Sequence, residues 1–222
     1  MNVQSSLMTS TLIKLGAKLN GADLSGANIL HIAAVLPRTE ILQVLTKAEI
    51  DGIDIRSSVR GATPLSYFWY HLMSQSTASP YWARPGEEEI KAFEALLQDV
   101  RDRVIKIELD KLQAIIAMIK EGKILEAREE LCQVMQVKTN ARIEREAETF
   151  RVIELQVKEG MLEPAIESLE EFMDVSRARM QVSPFLEPEV DPIYFQYHCR
   201  GTKAEMMELM RVKREEWYTT SG

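Results

Sequence analysis

Two sets of phrases recur along this chain at fixed spacing, and recurrence at that spacing restricts the fold more than any other property of the sequence. Gly26-Ala27-Asn28-Ile29-Leu30 has a counterpart in Gly61-Ala62-Thr63-Pro64-Leu65, a step of 35 residues. Further on, Lys120-Glu121-Gly122 returns as Lys158-Glu159-Gly160, a step of 38, and the copies continue with Ala127 and Leu131 or Ala165 and Leu169. Units of this size bury one face against the next copy, so stacked helical pairs are the expected architecture.

The residues in the first set have separate physical jobs. Gly16 can stop a helix, because glycine enters the left-handed conformation without strain. Asn20 and Asp23 suit a turn, since their side chains bond nearby backbone. Thr63 can cap a helix whose first position is Pro64, where the missing N–H does no harm. Thr39 and Glu40 can open another helix, with Ile41, Leu42 and Leu45 facing inward. Leu30, Ile32 and the small pair Ala33-Ala34 are expected to let two helices approach closely.

In this order and spacing, Leu15-Gly16-Ala17, Asn20, Asp23, Gly26, Leu30-His31-Ile32-Ala33-Ala34 and Thr63-Pro64-Leu65 resemble the ankyrin repeat over about residues 10–100. The resemblance implies a leading outer helix over 4–15, an inner and outer helix pair, and a third unit. That third unit carries an insertion, SQSTASPYWARPG at 74–86, before its outer helix, GEEEIKAFEALLQDV. Asn28-Ile29 stands where the family has Thr-Pro, which predicts a less sharply started helix. Leu36-Pro37-Arg38 replaces the usual glycine-containing turn, and Ser66 takes the place of the second histidine.

From residue 101 the pattern changes to long amphipathic helices, with Val104, Ile105, Leu112, Ile115, Ile116 and Ile119 on helical spacing. The copies around Gly122 and Gly160 are similar to the middle of a tetratricopeptide repeat, with each glycine ending the first helix of a pair. Pro184, Pro188 and Pro192 predict an extended surface segment. Gly201-Thr202 then opens a last helix carrying Met206, Met207, Met210 and Trp217, expected to cap the stack. The expected fold is therefore all-α: an α-solenoid of ankyrin-like repeats (1–100) followed by antiparallel helical hairpins (101–222). Few repeats are rarely stable alone, so the second region is expected to pack on the third ankyrin unit.

Composition narrows the function. Charged residues make up 27% of the chain and the net charge is −7. The closest approach to a basic patch, Lys203 with Arg211, Lys213 and Arg214, is offset by Glu205, Glu208, Glu215 and Glu216. Direct nucleic-acid binding is disfavoured. Two distant cysteines, Cys132 and Cys199, no secretory leader and no long apolar run predict a reduced, cytoplasmic or nuclear protein without a membrane span. Cys132, between Leu131 and Val134, reads as a buried inert thiol.

No catalytic motif emerges. His31 holds the ankyrin helix position, where it bonds backbone; His71 lies among aromatics; His198-Cys199 lacks a second ligand pair. Glu87-Glu88-Glu89, Glu129-Glu130 and Glu170-Glu171 fall at helix starts or on solvated faces. The expected protein is non-enzymatic, without cofactor or metal, and binds a protein partner. By the ankyrin resemblance, contact comes from the fingers and inner helices: Lys18, Asn20 and Leu24; Asp54, Arg56 and Arg60; Tyr67 and Tyr70. Tyr81 and Trp82 in the polar insertion are added because aromatics dominate interface hot spots. The loosely conforming repeats are also similar to short ankyrin-type proteins of filamentous fungi, some encoded beside natural-product pathways. A regulatory subunit or transcriptional co-regulator is the alternative expectation.

Overall fold

Glycine ends the helices at the positions its conformational freedom allows. The structure, a computed structural model, describes residues 3–50, 52–53, 62–73, 85–141 and 144–186. Helix α1 (Val3–Lys14) closes on Gly16 at φ 84°, with Gly16 N–H donating to Ile13 O and Ala17 N–H to Leu12 O. This paired closure satisfies carbonyls that a helix terminus otherwise leaves open. Gly122 and Gly160, at φ 76° and 77°, close α5 (Glu87–Lys120) and α7 (Glu144–Lys158) with the same two bonds. The remaining helices are α2 (Ile29–Val35), α3 (Thr39–Thr46), α4 (Pro64–Met73), α6 (Ile124–Ala141) and α8 (Leu162–Arg179). Among the described residues the chain is all-α, with one short 3-10 turn and no strand. No described helix is long and apolar enough to cross a membrane.

The chain divides into two units: Met1–Val100 with Ser183–Gly222, and Arg101–Val182. In the first, α1 packs on α3 and α2 on α4. The core is Leu30, Ala33, Ala34, Leu42, Leu45, Phe68, Ile90, Phe93, Leu96 and Leu97, all buried. Ile32 is 53% exposed, which corrects the expectation that it faces inward. Positions 30, 33 and 34 share one helical face, and position 32 turns away from it. The C-terminal segment also differs from its expected surface course. Pro184–Leu186 forms one 3-10 turn, and Phe185 is fully buried, stacked on Phe68 with ring centroids 5.3 Å apart. Phe68 in turn stacks on Phe93 at 4.6 Å.

In the second unit the step of 38 residues maps buried side chains onto buried side chains. Leu112, Ile115, Ile119, Ala127, Leu131 and Val134 correspond to Phe150, Ile153, Val157, Ala165, Leu169 and Phe172. Ala127 and Ala165 place no bulk between crossing helices, and α6 packs on α7 and α7 on α8. Phe150 meets Phe172 edge to face at 4.8 Å. Arg101 is buried, donates to Val182 O and lies 3.6 Å from Asp102. Cys132 is exposed, against expectation: Leu131 and Val134 occupy the buried face, and the intervening position rotates off it. The segments expected as a third outer helix and a first C-terminal helix are one helix, α5, which begins at the acidic triplet Glu87-Glu88-Glu89. Gly86 N–H donates to Glu89 Oε2 at 2.7 Å, and the three carboxylates suit the positive end of the helix.

Candidate protein-interaction surface

The turn between α1 and α2 is built around one carboxylate. Asp23 Oδ1 accepts from Ser25 N–H at 2.7 Å, from Ser25 Oγ at 2.6 Å and from Ala27 N–H at 3.0 Å. Backbone bonds from Asp23 N–H to Ala27 O and from Gly26 N–H to Asp23 O, each 2.9 Å, close the turn, with Gly26 at φ 71°. The Ser25 hydroxyl, followed by the Ala27 N–H, holds the Asp23 carboxyl below its ordinary range. Leu24 sits between the two ends of this braced turn and is fully exposed. A rigid turn thus presents an apolar side chain that nothing in its own unit covers.

Asn28 and His31 fix the other end of the turn. Asn28 caps α2, its Oδ1 accepting from His31 N–H at 3.2 Å, while Asn28 N–H donates to His31 Nδ1 at 3.1 Å. This reciprocal capping box starts α2 sharply, which corrects the expectation drawn from the missing Thr-Pro. The His31 ring also lies 2.7 Å from Asn28 Oδ1 through Nδ1 and 2.9 Å from Ala62 O through Nε2. Burial of the ring pushes the His31 pKa down, more strongly than the Ala62 carbonyl and the Asp23 charge raise it. Both ring nitrogens are engaged by the protein, so His31 offers no lone pair to a substrate. Among the described residues no group of His, Cys, Asp and Glu gathers as metal ligands would.

Side chains of the first turn also reach the loops that follow. Asn28 Nδ2 donates to Gly52 O at 2.6 Å, and Asn20 Nδ2 makes a longer bond to Glu49 O at 3.4 Å. With His31 on Ala62, these bonds tie the first turn and the start of α2 to Glu49, Gly52 and Ala62. Thr63 caps α4 as its sequence implies: its Oγ1 accepts from Ser66 N–H at 3.2 Å and lies 3.1 Å from Ser66 Oγ. Tyr67 is half-buried, its ring edge-on to His31 at 5.1 Å and 89°.

The expected contact residues therefore separate. Lys18, Asn20 and Leu24 share the exposed first turn. Asn20 also braces that turn, and Tyr67 packs partly against the core. Tyr70 lies on α4, one helical turn beyond Tyr67. Asp54, Arg56, Arg60, Tyr81 and Trp82 lie outside the described residues, as does His198. Sequence reasoning passed over Met8, Leu12 and Leu15, exposed apolar residues of α1 and its end at helical spacing. Their spacing was a usable signal: positions 8, 12 and 15 fall on one face. No family model, curated protein or solved structure matches this chain.

Proposed function

We propose that the chain is a non-enzymatic protein-interaction scaffold, in which an ankyrin-like N-terminal unit presents its turns to a protein partner. The observation that carries this reading is Leu24, exposed on a turn that Asp23 braces from within. Holding an apolar side chain in water on a rigid turn gains nothing for folding, whereas a rigid apolar anchor lowers the entropic cost of binding. The alternate packing of α1 on α3 and α2 on α4 supports stacked ankyrin-like pairs, outer on outer and inner on inner. The 38-residue equivalence of buried positions supports a tetratricopeptide-like pair of hairpins in the second unit.

Affinity capture with the full-length chain tests the reading, comparing wild type with a Lys18→Ala, Leu24→Ser double variant. Both side chains are exposed, so melting should change by no more than about 0.5 kcal/mol equivalent. Selective loss of one captured protein is the expected result. Identical captures from the two forms would remove the first turn as the contact surface. A parallel Arg56→Ala, Trp82→Ala variant asks the same of the second finger and the insertion.

A further inference from the structure

The strap that follows α8 is tied to the rest of the first unit by the Ser183 hydroxyl and by the ring of Phe185. Ser183 Oγ donates to the Glu94 Oε1 carboxylate on α5, and the same oxygen accepts from Phe185 N–H at 3.1 Å. The first bond ties the strap to the helix. The second sets the turn that directs Phe185 into the stack with Phe68 and Phe93. Ser183 is half-exposed, its preceding residues Gln181 and Val182 are exposed, and its following residue is Pro184. A hydroxyl that must donate its proton to a carboxylate is poorly suited to becoming an anion in place.

We propose that Ser183 is a phosphorylation site for a proline-directed serine/threonine kinase, and that the phosphate releases the strap from α5 and the aromatic core of the first unit. In the transfer, Ser183 Oγ bonds to the γ-phosphorus of ATP and the bond from that phosphorus to the β–γ bridging oxygen breaks. ADP leaves, and the hydroxyl proton passes to the kinase's general base. The product carries about −1.5 to −2 charges at neutral pH. It has lost the proton that Glu94 accepted and now faces the Glu94 carboxylate. Repulsion and desolvation both oppose the closed strap.

Pro184 and Phe185 are buried, so the kinase reads the strap when it opens. Local segments open more easily than whole domains, and the phosphate captures the open form because it interacts differently with the two states. Opening withdraws Phe185 from Phe68, so a change at one surface hydroxyl reaches the centre of the N-terminal core. This inference stands independently of the scaffold reading.

The test treats the full chain with a proline-directed kinase and magnesium ATP, maps the phosphorylated residue, and follows amide hydrogen exchange. Phosphate on Ser183, with the Phe185 and Leu186 amides exchanging roughly tenfold faster or more, is expected for a strap that loses its latch. Ser183→Glu should reproduce the loss and Ser183→Ala should show a smaller one. Ser183→Glu with Glu94→Gln should recover most of the protection, because the repelling charge is gone. The proposal falls if the native chain stays unmodified at Ser183 while the denatured chain is modified there. It falls equally if the phosphorylated chain keeps its protection.

Discussion

The first unit and the second solve the same problem, packing helices, by different means. In the first, α2 and α3 have only 7 and 8 residues, well below the length at which a helix persists by itself. Side chains set the starts of α2 and α4 and the turn before α2: Asn28 and His31 at α2, Thr63 at α4, Asp23 in the turn between α1 and α2. In the second, α6 and α8 have 18 residues each, and the same apolar positions recur at a step of 38. Short helices therefore depend on particular polar bonds reaching across loops, whereas long ones depend on repeated burial. A polar substitution that is harmless in the second unit should be costly in the first.

The largest expected effect tests whether the first unit also has a concentrated apolar centre. Phe68 stacks on both Phe93 and Phe185, and all three are fully buried. Phe68→Ala should cost about 3–5 kcal/mol in chemical denaturation, from lost burial plus the cavity. Phe150 is the corresponding buried ring of the second unit, but its 38-residue counterpart is Leu112. Phe150→Leu should therefore be absorbed at about 1.5 kcal/mol or less, as a shape that the other copy already accommodates. Equal losses for the two variants would mean that burial is no more concentrated in one unit than in the other.

Next in size is the cap. Asn28→Ala removes the donor to Gly52 O and one of two acceptors of His31 N–H, which keeps only its bond to Asn28 O at 3.1 Å. The expected loss is about 1–3 kcal/mol. Replacing Asn28 and His31 together should cost less than the sum of the single changes, because they share one hydrogen-bonded box. Additive losses would remove the cooperative cap from the account.

The same histidine gives the first unit a pH dependence. Its pKa is depressed by burial below the ordinary 6.5, so the unfolded chain binds the proton more readily than the folded one. Stability is complete above pH 6.5 and declines as pH falls through that value towards the depressed folded pKa. Asp23, also depressed, keeps its contribution until pH falls below its ordinary 3.8. His31→Gln should flatten the stability profile between about pH 5 and 7, where an unperturbed imidazole titrates. An unchanged slope in that variant would assign the dependence to another group.

Legibility in the sequence follows the range of the interaction. Gly16, Gly122 and Gly160, the Thr63-Pro64 start and the Asp23 turn each act within a few residues, so the chain displays them directly. The surface position of Leu24 was readable for the same reason, as part of that turn. Asn28 was harder, because its box partner at the third helical position is His31 rather than the usual Glu or Gln. Phe185 was not readable at all. Proline-rich composition marks a break in a helix, but only the fold brings residue 185 onto Phe68. Cys132 was misread through its buried neighbours, where helical rotation should have separated it from them.

The smallest effect asks whether the two copies in the second unit are energetic equals. Gly122 and Gly160 share a left-handed backbone, the same two closing bonds, and open space where a Cβ would stand. With no neighbour to strike, the cost of Gly122→Ala or Gly160→Ala reduces to placing an L-residue in that conformation, about 1–2 kcal/mol. The two variants should agree within about 0.5 kcal/mol, and the double variant should add, since each closure is confined to its own turn. A marked inequality would show that one hairpin leans on its closing turn more than the other. In that case similar buried positions would conceal a difference in how the copies are held.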